Sequence, residues 1–216
     1  MLEKRSKEEI LIEFFECHPK LKCVESDLVK AYDIMRESFA NGGKLLVCGN
    51  GGSTADCDHL VVELLKSSEL RRPISDQQRK SIEDLFPVKG KGIADQLMQA
   101  LPAISLTAHA TMLTGMVNDV STEMMFAQQV FAYGKPGDML LGISTSGKSE
   151  NVLNAVRVAR SLKMHTIALT GSIYPDLKDL CEVGISSPET HPPNIQETHL
   201  PIYHVLTRLI ENYFFE

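Results

Sequence analysis

A three-layer α/β sandwich around a central parallel sheet is the architecture this sequence predicts. Three observations carry that reading. Short apolar runs recur along the chain, each stopped by a turn rich in glycine or hydroxyl residues. Helical patterns follow those turns. The chain has 216 residues, 43% of them hydrophobic and 23% charged, enough for one sizeable core and short for two. Strands alternating with helices build a parallel sheet covered on both faces, and strands buried on both faces read as continuous apolar runs.

The elements follow in order. Residues 7–16 and 26–39 carry apolar positions at helical spacing, in the second case Leu28, Val29, Tyr32, Met35 and Phe39. Asn41-Gly42-Gly43 stops that helix as a C-terminal glycine does. Residues 44–48 are the first strand, followed by Gly49-Asn50-Gly51-Gly52-Ser53 and a helix from Thr54 to Lys66. Further strands are expected at 103–106, 138–143, 165–169 and 183–185, with helices at 150–162 and 196–215. The whole chain, 1–216, reads as a single domain with N-terminal helices in 1–43. Residues 70–99 break the pattern: they are polar and charged, with Pro73 and Pro87. Ser75-x-x-Gln78 has the form of a capping box and opens a short helix to Leu85; 92–100 is a second helix candidate. The segment reads as a solvated helical excursion, with a lid or a contact between copies as the alternative.

Charge and composition exclude some functions. Lys and Arg number 22 against 28 Asp and Glu, a net charge of −6, which argues against nucleic acid as the main partner. No stretch has the apolar length that spans a bilayer. The opening residues lack the apolar run and cleavage site of a signal peptide. Cys17, Cys23, Cys48, Cys57 and Cys181 form no C-x-x-C pair and are odd in number. They read as reduced thiols of a cytoplasmic protein.

The chemistry gathers at two loops and two helices. Asn50, Gly51, Gly52 and Ser53 lie between a strand and a helix, where glycines admit an anion to backbone N–H groups and the helix N-terminus adds positive charge. Such a loop also serves as a simple tight turn. Ser144, Thr145, Ser146 and Ser149 cluster around Gly147 at the end of another strand. That density of hydroxyls favours a cradle for a phosphomonoester over a plain helix cap. His59 and Glu63 are spaced i, i+4 on one helix face, which allows shared metal ligation, a His–carboxylate pair or a surface contact. In Gln196-Glu197-Thr198-His199, with His204 beyond, Gln196 and His204 are separated by about two turns, a rise of roughly 12 Å. Spacing alone makes Gln196 and His199 the easier pair and leaves open which histidine serves the site.

At these residues the sequence resembles the sugar isomerase (SIS) superfamily, and within it the phosphoheptose isomerases. The matching elements are GNGGS with His59-x-x-x-Glu63, Asn118-Asp119, GDMLLGISTSGKSENV at 137–152, ALTG at 168–171, and IQETH at 195–199 with His204. The resemblance implies a flavodoxin-like sandwich assembled as a homotetramer with sites at subunit interfaces. It implies interconversion of sedoheptulose 7-phosphate and D-glycero-D-manno-heptose 7-phosphate through an enediol. By the same resemblance Asn50, Gly51, Gly52, Ser53, Asn118, Asp119, Ser144, Thr145, Ser146, Ser149 and Gln196 contact substrate. His59, Glu63, Gln196 and His204 bind one zinc ion per subunit, and Glu63 and His204 transfer protons. His204 is thereby selected over His199. Three features depart from the family pattern: the longer interval between Glu63 and Asp119, Leu65-Lys66-Ser67 where Thr-Gly-Arg is usual, and Pro193 in place of an acidic residue. They leave two alternatives, an isomerase of another sugar phosphate and a non-catalytic SIS protein that binds the replication initiator. The latter branch typically lacks the glutamate and the final histidine that this chain retains.

Overall fold

The computed structural model describes residues 4–215; Met1–Glu3 and Glu216, the ends of the expected domain, lie outside the described residues. The chain opens with α1 (Lys7–Cys17), a 3₁₀ segment (Pro19–Val24) and α2 (Glu25–Ala40). Ser6 and Glu9 cap α1 reciprocally, each side chain accepting the other's backbone N–H. Gly42, at φ +78°, closes α2. There follow β1 (Leu45–Gly49), α3 (Gly52–Leu65), α4 (Asp76–Leu85), α5 (Gly90–Gln96), β2 (Ala103–Ser105), α6 (Ala110–Asp119), a 3₁₀ turn (Thr122–Met124) and α7 (Ala127–Tyr133). The remainder is β3 (Met139–Ser144), α8 (Glu150–Ser161), β4 (His165–Thr170), α9 (Asp176–Leu180), β5 (Val183–Ser186) and α10 (Pro192–Phe214).

The five strands form one parallel sheet in the order β2-β1-β3-β4-β5. In register, Leu45 lies beside Met139, Leu141 beside Ile167, and Ile167 beside Val183. Alternation along each strand splits the core in two. Leu45, Val47, Leu141, Ile143, Ile167 and Leu169 pack against α1, α2, α3 and α10. Leu46, Cys48, Leu140 and Ala168 face α7, α8 and α9. Buried Asp138 joins the starts of two strands, accepting the N–H of Lys44 at 2.9 Å and of Lys135 at 2.8 Å and pairing with the Lys44 ammonium. The order reverses between β1 and β3, and in such sheets ligands bind outside the strand ends at that crevice. Both candidate loops leave the sheet there.

Several boundaries differ from expectation. α10 begins at Pro192, because Pro192 and Pro193 fill first-turn positions where a missing N–H costs nothing. α6, α7 and α9 are additions to the expected elements; α6 buries no residue fully although Leu113, Met116 and Val117 recur at helical spacing, and α9 is only five residues long. The excursion is helical as expected. Ser75 and Gln78 form the capping box of α4, which buries no side chain. α5 runs from Gly90 to Gln96, not over 92–100, since Leu97 is already extended. The excursion closes at its base through an antiparallel bridge between Pro73 and Met98 and a bond from the Gln99 N–H to the Arg72 carbonyl at 2.7 Å.

Arg72 and Glu211 tie this base to the rest. Their side chains are 0% and 1% exposed, with Arg72 Nε 2.9 Å from Glu211 Oε1. The other guanidinium nitrogens donate to the carbonyls of Leu64 and Glu63 at 2.9 and 3.0 Å, two C-terminal carbonyls of α3. Glu211 also accepts the N–H groups of Ser68 and Glu69, both at 2.9 Å. The Phe215 ring lies 4.6 Å from the guanidinium. Arg72→Met leaves a buried carboxylate without its cation and is expected to destabilise by about 3–5 kcal/mol in denaturant unfolding. Adding Glu211→Gln should recover part of that loss.

His199 is fully buried, with Nε2 3.4 Å from the Thr170 carbonyl and Nδ1 without a partner among the described residues. Burial pushes its pKa down to about 4. The folded state therefore binds fewer protons than the unfolded state between the ordinary imidazole value, near 6.5, and about 4. Stability from this group is complete above that window and is lost as pH falls through it, by about 1.4 kcal/mol for each pH unit. The stability difference between the wild type and His199→Leu, followed by denaturant unfolding from about pH 7.5 to 4, should change sharply only below the ordinary imidazole value.

Candidate active site

Two groups of side chains form on α3 and α10, about two helical turns apart. The first surrounds the crevice between β1 and β3. Gly51 stands at φ +56° and ψ −121°, outside the range of ordinary L residues, and turns the chain from β1 into α3. Ser53 is buried in the first turn. Across the crevice, Ser144 Oγ lies 3.0 Å from Ser149 Oγ and 3.5 Å from Ser146 Oγ. Gly147, at φ +69°, allows the turn. The Thr170 hydroxyl donates to the Ser144 carbonyl at 2.7 Å and holds the loop from beneath. Asn50 and Asn151 exchange amide hydrogen bonds of 2.8 and 2.9 Å, clasping the two loops together. Gln196 also lies here: a Cβ on Gly52 would stand 2.6 Å from its Nε2. Hydroxyls, amides and the start of α8, whose N-cap Ser149 makes no side-chain cap bond, gather donors of the kind that hold an anion.

Residues 142–149 also have the spacing of a nucleotide P-loop, Gly-x-x-x-x-Gly-Lys-Ser. Their conformation differs from a wrapping loop. Gly142 lies inside β3, where a Cβ would meet Val152 of α8 at 2.9 Å. The Lys148 ammonium lies over the Tyr174 ring, 3.4 Å from its centre.

The second group lies further along both helices. His59 Nε2 is 3.6 Å from Glu63 Oε1 and 3.4 Å from His204 Nε2. His59 Nδ1 is 3.1 Å from the hydroxyl of buried Tyr203. Burial, then the neighbouring His59, holds the His204 pKa below the usual imidazole range, against the pull of Glu63. Burial raises Asp56, one turn before His59, to about 6. A cavity of about 370 Å³ opens over His59, Glu63 and His204, lined also by His18, Glu69 and Arg208.

The arrangement sorts the expected residues. His204 faces the cavity, whereas His199, expected on a surface or an interface if it was not the site residue, is a core residue beneath β4. Gln196 sits against Gly52, away from His204: seven residues from Gly52 to His59 advance α3 by about 10 Å. Among the described residues, no group of three or more His, Cys, Asp or Glu side chains in this chain is arranged to hold a metal ion. His59, Glu63 and His204 carry the nitrogen and oxygen donors that zinc accepts, with His59 Nε2 within 3.6 Å of the other two. Asn118 and Asp119 end α6 and bond each other at 2.6 Å, with no hydrogen bond to either group among the described residues. Arg72 is committed to Glu211, while Lys66 and Arg71 are exposed. Tyr203 and Asp56 join the group without a sequence motif to mark them. Their signal in the sequence is position alone, one residue before His204 and one turn before His59.

This is the fold of a SIS domain, and the SIS domain family matches residues 20–78 and 80–171. The phosphoheptose isomerase of Maridesulfovibrio salexigens is 38% identical over 208 residues, covering 96% of this chain and 86% of that protein. That of Aliarcobacter butzleri is 35% identical over 89% of this chain and 88% of its own length. The structure of phosphoheptose isomerase from Neisseria gonorrhoeae superposes with a TM-score of 0.72 at 31% identity, over 93% of this chain and 94% of that one. One from Francisella tularensis gives 0.73 at 30%, over 95% and 98%. The chain belongs to the phosphoheptose isomerase family, and its activity class is that of a sugar-phosphate isomerase. No helix among the described residues is long and apolar enough to cross a membrane.

Gly52→Ala tests the cradle. The Cβ meets only the flexible end of Gln196, so the thermal midpoint should stay within a few degrees. The displaced carboxamide should raise the substrate KM several-fold in steady-state kinetics.

Proposed function

We propose that the enzyme interconverts sedoheptulose 7-phosphate and D-glycero-D-manno-heptose 7-phosphate through an enediol, with zinc, in the cytoplasm. The observation that carries this reading is the convergence of His59, Glu63 and His204 on one cavity. A carboxylate and an imidazole at one site suit a reaction that moves a proton between adjacent carbons and between their oxygens. In this reading the hydroxyls of Ser144, Thr145, Ser146 and Ser149 and the turn Asn50–Ser53 bind the phosphate end. Glu63 removes the proton from C1 of the ketose and returns it to C2. His204 exchanges protons with the two oxygens. His59, Glu63, Gln196 and His204 offer the nitrogen and oxygen donors that zinc accepts. When bound, zinc polarises the carbonyl and stabilises enediolate charge.

The separation of the two groups supports a site completed between copies of the chain, in a homotetramer. Gln196 stands with the cradle and His204 with His59, so a second copy brings one group to the other. Asn118 and Asp119, on an exposed helix, are proposed to reach substrate in the same assembly. The 70–99 excursion carries exposed Leu85, Phe86 and Val88; we assign it to covering the site or adding contacts between copies.

The test is turnover of sedoheptulose 7-phosphate before chelation, after chelation and with zinc restored. Activity is expected to fall and return. Glu63→Gln should remain folded and lose turnover by at least about a hundredfold, the lower range of general acid–base contributions. A fully active Glu63→Gln enzyme sinks the assignment, and conversion indifferent to chelation removes zinc from it.

A further inference from the structure

We propose that His199 is a positioning residue: from the core it holds the Ser144–Ser149 turn and Gln196 in place, without touching substrate. Its ring reaches the turn in two steps. The first is the Thr170 carbonyl at the end of β4, and the second runs from the Thr170 hydroxyl to the Ser144 carbonyl.

Chemistry fixes the direction of each bond. A carbonyl oxygen only accepts, so the His199 Nε2 that lies 3.4 Å from the Thr170 oxygen carries the ring hydrogen. Burial keeps the ring neutral near pH 7, and a neutral imidazole has one N–H. Nδ1 is therefore a lone pair, buried and without a partner among the described residues. Such an orphaned acceptor is costly, and an apolar side chain would avoid it. A polar group kept in the core at that cost points to a task other than stability. The same Thr170 carbonyl accepts the Ser187 N–H at 2.8 Å, and the Ser187 and Thr198 hydroxyls are 2.6 Å apart. Two consecutive residues of α10, Thr198 and His199, thus fasten it to the ends of β4 and β5.

On the far side of Thr170, its fully buried hydroxyl donates to the Ser144 carbonyl at 2.7 Å. The next link is the turn itself, where Ser144 Oγ lies 3.0 Å from Ser149 Oγ. Packing closes the same circuit. A Cβ on Gly171 would stand 2.6 Å from the Thr145 carbonyl and 2.7 Å from Ile195 Cδ1, so β4, the turn and α10 have no room to shift independently. About one helical turn before His199, Gln196 rests on Gly52. Fastening His199 therefore also sets Gln196 against the first loop. The effect on a ligand rests on the phosphate reading above; the effect on the turn does not.

The experiment is hydrogen exchange of the full chain at neutral pH, read by mass spectrometry, together with inorganic phosphate affinity by calorimetry. His199→Leu removes the donor and the orphaned acceptor together, so the fold should persist. The Gly147 and Lys148 amides are bonded within the turn. In His199→Leu, amides of 145–149 should exchange about fivefold faster, as for the loss of one hydrogen bond, while those of β1 and β3 keep their rates. Phosphate should bind several-fold more weakly. His199→Gln, whose side-chain amide supplies a donor, should recover both. Thr170→Val breaks the next link with little change of shape and should loosen 145–149 alike; it decides the matter if His199→Leu does not fold. Exchange in 145–149 unmoved in these variants, acceleration spread evenly over the chain, or a loosened turn that binds phosphate as before overturns the proposal. A wild type that binds no phosphate, with the turn still loosened locally in the variants, upholds the positioning role while removing the phosphate reading.

Discussion

The buried pair of Arg72 and Glu211 is the constraint on which the candidate site depends. One guanidinium caps the last carbonyls of α3, closes the base of the excursion and meets a carboxylate on α10. Glu63 is on α3 and His204 on α10, so the same network fixes how the two helices meet. Buried ion pairs are weak sources of net stability, since desolvation offsets their attraction. Here the hydrogen bonds of the pair go to backbone groups or to the partner. Its contribution is to register: it determines which turn of α3 lies against which turn of α10.

The sheet supplies the other half of the placement. Parallel strands direct their C-terminal ends to one edge, and the reversal of order between β1 and β3 opens a crevice there. The two loops need only short turns to line it. The amides of Asn50 and Asn151 then join them, so two βα units present one continuous surface.

Much of this is legible in the chain. The four main strands and the capping box of α4, made by Ser75 and Gln78, are local, and local chemistry decides them. The clustering of the hydroxyls of Ser144, Ser146 and Ser149 is legible for the same reason, because they are neighbours in sequence. The second group is legible only in part. The i, i+4 spacing of His59 and Glu63 shows one face of one helix, but what meets that face comes from 144 or 145 residues away. Spacing does not tell His199 from His204; in the structure one lies beneath β4 and the other lines a cavity. Tyr203 and Asp56 carry no signature, because an isolated tyrosine and an isolated aspartate each have many ordinary uses. α6 does carry Leu113, Met116 and Val117 at helical spacing, but the structure leaves them half-buried or exposed.

The closure of the excursion between Pro73 and Met98 has a consequence of a different kind. The chain leaves the domain and returns to it at one place. Inside the loop, α4 and α5 pack on each other, Arg79 bonding Asp95 at 2.6 Å and Gly90 resting on the backbone of Glu83. Loop closure depends only weakly on length, so such a segment is a module in the evolutionary sense. It can lengthen, shorten or exchange its sequence while the sheet beneath keeps its register, and it can open as its own cooperative unit while the core stays closed.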